Sequence, residues 1–161
     1  MKNTIKTAGY IFIFAILAAC AMQPIEKKEI TRVIEVPNQT QSELFSKSRQ
    51  WFSETFVSGE SVVDYEDKEV GTIIGNGRSS IGRDSMGLIE FRIQYKLRVD
   101  TKDGKVRVAA DIEKHTNTDS TSTYQVNHTN PRRVAMTEAH INALLVSLEQ
   151  YLTNQSQASD W

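Results

Sequence analysis

Very few residues in this chain have the type and spacing that chemistry demands. Its three histidines, His115, His128 and His140, are spaced like neither a helical nor a hairpin metal site, and no carboxylates cluster with them. No metal ligand set follows. A serine nucleophile would need a strained turn such as Gly-x-Ser-x-Gly, which does not occur, and the acids are scattered rather than paired. Gly75-Asn76-Gly77 is glycine-rich, but a dinucleotide fingerprint needs three glycines on a strand-to-helix turn, and its surroundings read as strand. A bulge or bend is the expectation there. No catalytic residue and no cofactor are therefore expected. The one reactive side chain with a context is Cys20, the only cysteine.

Cys20 closes an uninterrupted apolar run, Ala8 to Ala19, that follows Lys2 and Lys6. Basic leader, apolar stretch and small residues form a signal-peptide pattern. The run is shorter than the roughly 20 residues a spanning helix needs. Leu17-Ala18-Ala19-Cys20 resembles the bacterial lipoprotein lipobox. That resemblance implies cleavage before Cys20, a diacylglycerol thioether on its sulfur and acylation of the new amine by a fatty acid such as palmitate. Two or more chains hold a protein stably on a membrane, at about 0.8 kcal/mol per buried CH₂. Ala21 in the next position implies the outer membrane, with the domain facing the periplasm. A lone cysteine also excludes an intramolecular disulfide.

Residues 1 to 19 hold two of the 19 basic and none of the 20 acidic residues, leaving the mature chain with 17 against 20, a net charge of −3. A mildly acidic exported domain is a poor partner for nucleic acid. The remaining length suits one domain with one core. Residues 20 to 29 read as a lipidated tether, 30 to 153 as the domain, and 154 to 161 as a polar tail.

The elements follow from periodicity. Ile30 to Val36 is β-branched and stops at Pro37, a first strand. Thr40 to Glu43 has capping-box spacing, and Leu44, Phe45, Ser48, Trp51, Phe52, Thr55 and Phe56 recur at helical intervals to about Val57. That aromatic stripe predicts core packing. Ser61 to Glu66 and Val70 to Gly75 read as a second and third strand, and Gly82 and Gly87 as marks of a loop. From Ile89 to Asp100 apolar and polar residues alternate strictly.

Asp103-Gly104 then predicts a two-residue hairpin, pairing Val99 with Val108, Leu97 with Ala110, Tyr95 with Ile112, Asp100 with Arg107 and Lys96 with Asp111. A one-residue slip would invert every face, so the match of apolar with apolar and of opposite charges supports the register. The opposite face carries Glu90, Arg92, Lys96, Arg98, Arg107, Asp111 and Glu113, both signs mixed, and reads as solvated.

His115 to Arg133 is rich in Thr, Ser and Asn and reads as a long polar excursion, whose His115, Asn117, Asp119, Tyr124 and His128 are candidate contacts for an envelope protein partner. An edge strand over Thr121 to Val126 is the alternative. A second helix spans residues 136 to 153, with Thr137 as a possible cap.

The sum is an α+β domain of order β-α-β-β-β-β-α, an antiparallel five-stranded sheet with two helices on one face. Gly71-Thr72-Ile73-Ile74-Gly75-Asn76-Gly77 and Lys102-Asp103-Gly104-Lys105-Val106-Arg107 resemble stretches of the DUF4468 family, a bacterial domain of unknown function, and Trp51 also fits. The resemblance implies a TATA-binding-protein-like (TBP-like) fold. Fold analogy carries no activity with it. A membrane-anchored envelope lipoprotein whose domain binds or scaffolds without catalysis is the resulting expectation, an envelope enzyme the alternative. Mass spectrometry of the mature N-terminus should find a lipid-modified Cys20 as first residue; an unmodified cysteine or another cleavage point would refute the anchor.

Overall fold

A computed structural model describes residues 29–56, 62–126 and 130–154. Cys20, the tether, His128 and the tail from residue 155 lie outside these. The chain runs β1 (Glu29–Glu35), α1 (Gln41–Thr55), β2 (Val62–Asp67), β3 (Thr72–Arg83), β4 (Glu90–Lys102), β5 (Lys105–Thr118), β6 (Thr123–Val126) and α2 (Pro131–Thr153). The antiparallel sheet has the order β1-β5-β4-β3-β2, and β6 pairs with the far end of β5. Six strands replace the expected five.

The hairpin register is as read from the sequence: Val99 faces Val108, Leu97 faces Ala110, Tyr95 faces Ile112, Asp100 faces Arg107 and Lys96 faces Asp111. The inward residues of β4 and β5 are buried under the helices, and the core also takes in Trp51, Phe52, Ile141, Leu145 and Leu148. Trp51 is 1% exposed, meets the rings of Phe52 and Phe56 edge-on at 5.3 and 5.6 Å, and donates from Nε1 to Ser147 Oγ at 3.1 Å. The aromatic stripe is core.

The start of α1 is bound to two turns of the sheet. Thr40 forms the expected capping box with Glu43, the Asp103 carboxylate accepts from the Gln41 backbone N–H at 2.7 Å, and Gly104 N–H donates to Gln39 O at 2.9 Å. An anionic group is favoured at a helix N-terminus, where backbone N–H groups lack partners. Gly71, at φ +77°, accepts on its carbonyl from both the backbone N–H and the hydroxyl of Thr101 at 2.7 and 3.0 Å. Only glycine adopts that backbone cheaply.

Four expectations need correction. β5 continues to Thr118 and β6 follows at Thr123, so residues 115 to 126 form a hairpin, the edge strand rather than a free loop. Asp119 turns it, its carboxylate accepting from the backbone N–H groups of Thr121 and Ser122 at 2.8 Å each. α2 starts five residues early, because Asn130 caps it, accepting from the Arg132 N–H at 3.0 Å, and Pro131 occupies the first turn, where no N–H is missed. Thr137 is therefore no cap. Gly75-Asn76-Gly77 pairs regularly with Leu97, Lys96 and Tyr95; the bulges fall at Asp64 on β2, at Ile81 on β3 and at Glu113 on β5. Gly82, expected in a loop, lies within β3.

Replacing Trp51 with Ala removes a fully buried indole and should cost about 3 to 5 kcal/mol in denaturant unfolding; a loss under 1 kcal/mol would mean that this ring is not core.

Candidate functional site

Three places on the domain bring polar groups together, and they differ in access. The open sheet face centres on Asp100, which accepts from Arg107 Nη2 at 2.6 Å, from Arg98 Nε at 3.0 Å and from Thr72 Oγ1 at 2.8 Å. Partial burial raises its pKa, but these three hydrogen bonds outweigh that and bring it to about 2. Lys96 pairs at 3.8 Å with Glu113. Glu90 with Arg92, Lys96 with Glu113, and Arg98 and Arg107 with Asp100 are paired within this face.

The second place is a polar patch of the interior beneath α2. The Glu113 bulge reverses which side chains face inward, so His115 and Asn117, at 4% and 5% exposure, enter the core. The His115 Nε2 lies 2.8 Å from Thr137 Oγ1, and Asn117 donates to the Tyr124 hydroxyl at 3.3 Å. The Tyr95 hydroxyl lies 3.2 Å from Ser79 Oγ, and the His140 ring packs edge-on to Tyr95 at 6.2 Å. Burial lowers the His140 pKa and raises that of Tyr95. His115 thus ties α2 to the sheet and Asn117 ties β5 to β6, both from buried positions, whereas Asp119 and Tyr124 remain at or near the surface. Among the described residues no three His, Cys, Asp or Glu side chains are placed to share a metal ion.

The third place is open to ligand. A cavity of about 310 Å³ lies between α1 and the sheet, lined by Arg49, Phe52, Ser53, Phe56, Val63, Gly75, Asn76, Gly77 and Leu97. That is the small end of the range for small-molecule sites, about 300 to 1,000 Å³. Gly75 and Gly77 face inward on β3 and put no side chain into the space. Beside it, a Cβ on Gly77 would stand 2.5 Å from Tyr95 Cζ, so glycine there is required by the buried ring. Phe52, Phe56, Val63 and Leu97 supply apolar wall. At the mouth Arg49 pairs with Glu66 at 2.5 Å and donates from Nη1 to Ser53 Oγ at 2.6 Å, and from its exposed position between the two glycines the Asn76 amide donates to the Asp64 carboxylate.

The sequence reading missed this pocket, although its floor lies in the glycine stretch singled out there. The signal was the pair of glycines two apart on a strand whose inward face opens with Ile73, which empties that face beyond it.

Similar proteins bear on the fold. The sequence model of DUF4468, a domain of unknown function with TBP-like fold, matches residues 31–114. The crystal structure of a DUF4468 family protein from Bacteroides ovatus ATCC 8483 superposes with a TM-score of 0.63 at 17% identity, covering 85% of this chain and 92% of its own. That of a TBP-like protein from Parabacteroides distasonis ATCC 8503 gives 0.62 at 17%, covering 84% and 98%. At such identity the likeness establishes the architecture alone. No curated protein matches this chain.

His140 provides a test of the buried polar patch. Its pKa is held below the ordinary value of 6.5, so its contribution to stability is complete above that value and is lost as pH falls from it toward the lowered folded value. Unfolding free energy should decline between about pH 7 and pH 5, and His140→Phe should flatten that decline; an unchanged slope would show that His140 is solvated.

Proposed function

This chain belongs to the DUF4468 family, whose domain has no established activity, and from that premise we propose a lipid-anchored envelope lipoprotein whose domain binds a small ligand without transforming it. The anchor rests on Leu17-Ala18-Ala19-Cys20 behind its basic and apolar leader. Among the described residues no helix is long and apolar enough to cross a membrane.

The observation that carries the binding reading is the glycine-floored cavity beneath α1. Its lining suits a compact ligand with an apolar body and a polar end held at the mouth near Arg49 and Ser53. The same lining argues against catalysis. Ser53 Oγ donates to the Arg49 carbonyl of its own helix at 3.2 Å and accepts from the Arg49 guanidinium, and among the described residues no histidine or carboxylate is bonded to it as a base. The two described histidines engage Thr137 and Tyr95 beneath α2, and neither lines the cavity.

Anilinonaphthalene sulfonate, an aromatic anion, should bind the folded domain saturably at one site, and Ser53→Tyr, at an exposed position of the mouth, should abolish that binding while the fold is retained. Unchanged binding in Ser53→Tyr, or no saturable binding to the native domain, would remove the cavity as a ligand site.

A further inference from the structure

One end of the sheet gathers features that the pocket does not use. The loop joining β3 to β4 carries Met86 and Leu88 at 75% and 65% exposure, the largest values among the exposed apolar residues there. The loop itself is well ordered by its own bonds. Asp84 N–H donates to Ile89 O at 3.0 Å, the Asp84 carboxylate accepts from Ile89 N–H at 3.0 Å, Gly87 N–H donates to Asp84 O at 3.1 Å, and Gly87 sits at φ +73°. Two large apolar side chains two residues apart on a fixed tip have no packing role in the domain. Their exposure is a standing cost in water and a gain against an apolar surface.

The charges of this end are arranged to suit such a surface. Arg83 and Lys114 are exposed behind the tip, and Arg83 reaches back to the Gly87 carbonyl at 3.4 Å. Carboxylates near this end are engaged within the protein: Asp84 on Ile89, Glu90 on Arg92 at 2.9 Å, Asp119 on its own turn, and Glu113, beside Lys114, on Lys96 at 3.8 Å. An apolar tip with basic side chains just behind it is the arrangement by which proteins seat on a bilayer, the cations remaining at headgroup level.

The path of the chain identifies the surface. β1 is antiparallel to β5 and begins with Glu29 opposite Asp111, which is itself opposite Lys96 of β4. Its N-terminal end therefore points toward the β3–β4 tip. From Lys96 to Glu90 is six residues of strand, about 20 Å at about 3.3 Å each. Cys20 to Lys28 is nine residues, with an extended reach of up to about 30 Å. Cys20 can thus stand level with Met86 and Leu88, at the same end of the domain.

We infer that the β3–β4 tip docks on the bilayer that holds Cys20, with Met86 and Leu88 entering the interface and Arg83 and Lys114 at the headgroups. This rests on the lipid anchor proposed above. The domain is then held at two points, which fixes its orientation and directs the Asp103-Gly104 end, with the start of α1, away from the membrane.

The test uses the full lipidated chain in vesicles of phosphatidylethanolamine and phosphatidylglycerol. With Cys20 in a thioether, Met86→Cys carries the only thiol, and Val70→Cys serves as control, since Val70 is 65% exposed at the opposite end of β3. An environment-sensitive dye at position 86 should shift to the blue and resist aqueous iodide several-fold better than the same dye at position 70, and a quencher borne on the lipid should reach only position 86. Equal iodide quenching at both positions overturns the docking. Protection at position 86 that rises with protein density and is untouched by the lipid-borne quencher overturns it in favour of a second copy. If the dye also reacts at Cys20, the anchor reading fails and the docking with it; if Cys20 is blocked and position 86 stays wet, the docking alone fails.

Discussion

The helix-facing side of β3 is empty at Gly75 and Gly77, and the rest of the domain is arranged around that absence. The Tyr95 ring lies against Gly77, 1% exposed, where any Cβ would collide with it. That placement brings the Tyr95 hydroxyl to Ser79 and its ring to His140 of α2. On the other side of the glycines the same absence leaves space beneath α1, closed by Phe52 and Phe56. A side chain at either position would fill the cavity or displace the tyrosine. Close-packed interiors do not absorb such a change without loss.

Helix α1 is held over that space by its buried side chains and by its first turn. Asp103, Gly104 and Gly71 belong to two different turns of the sheet, and all lie within a few residues, along the chain or through space, of the Thr40 cap. Both stretches that resemble the DUF4468 family therefore have a physical role. Lys102-Asp103-Gly104-Lys105 seats the helix, Gly71 makes the turn it rests beside, and Gly75 and Gly77 clear the strand beneath it. These two stretches of the chain are thus conditions for packing α1 on the sheet, and the cavity is a consequence of how that packing is done.

The regular parts of this fold were legible in the sequence for a definite reason. From Ile89 to Ile112 two strands alternate without interruption about Asp103-Gly104, so the turn and the side chains independently give one register. Beyond Ile112 that logic fails at a single residue. Glu113 is an extra residue in β5, and it exchanges the two faces, so that His115 and Asn117 turn inward and Lys114 and Thr116 outward. Read without the bulge, the segment is polar with no apolar face, which suggests a free loop. Its partners confirm why composition misled: His115 bonds Thr137, 22 residues away, a pairing that no local pattern contains. Asn130-Pro131 was open to the same error, since a helix start and a loop use the same two residues. The cavity was hidden because it is made by missing side chains, which periodicity does not register.

The claim on which pocket, helix seat and polar interior all depend is that Gly77 is glycine because of the Tyr95 ring. A double-mutant cycle in unfolding free energy measures it directly. Gly77→Ala should destabilise the native chain markedly and cost little in a Tyr95→Ala background, where the ring is gone. An equal cost in both backgrounds would contradict the account, since it would place the need for glycine in the strand itself rather than in the tyrosine packed against it.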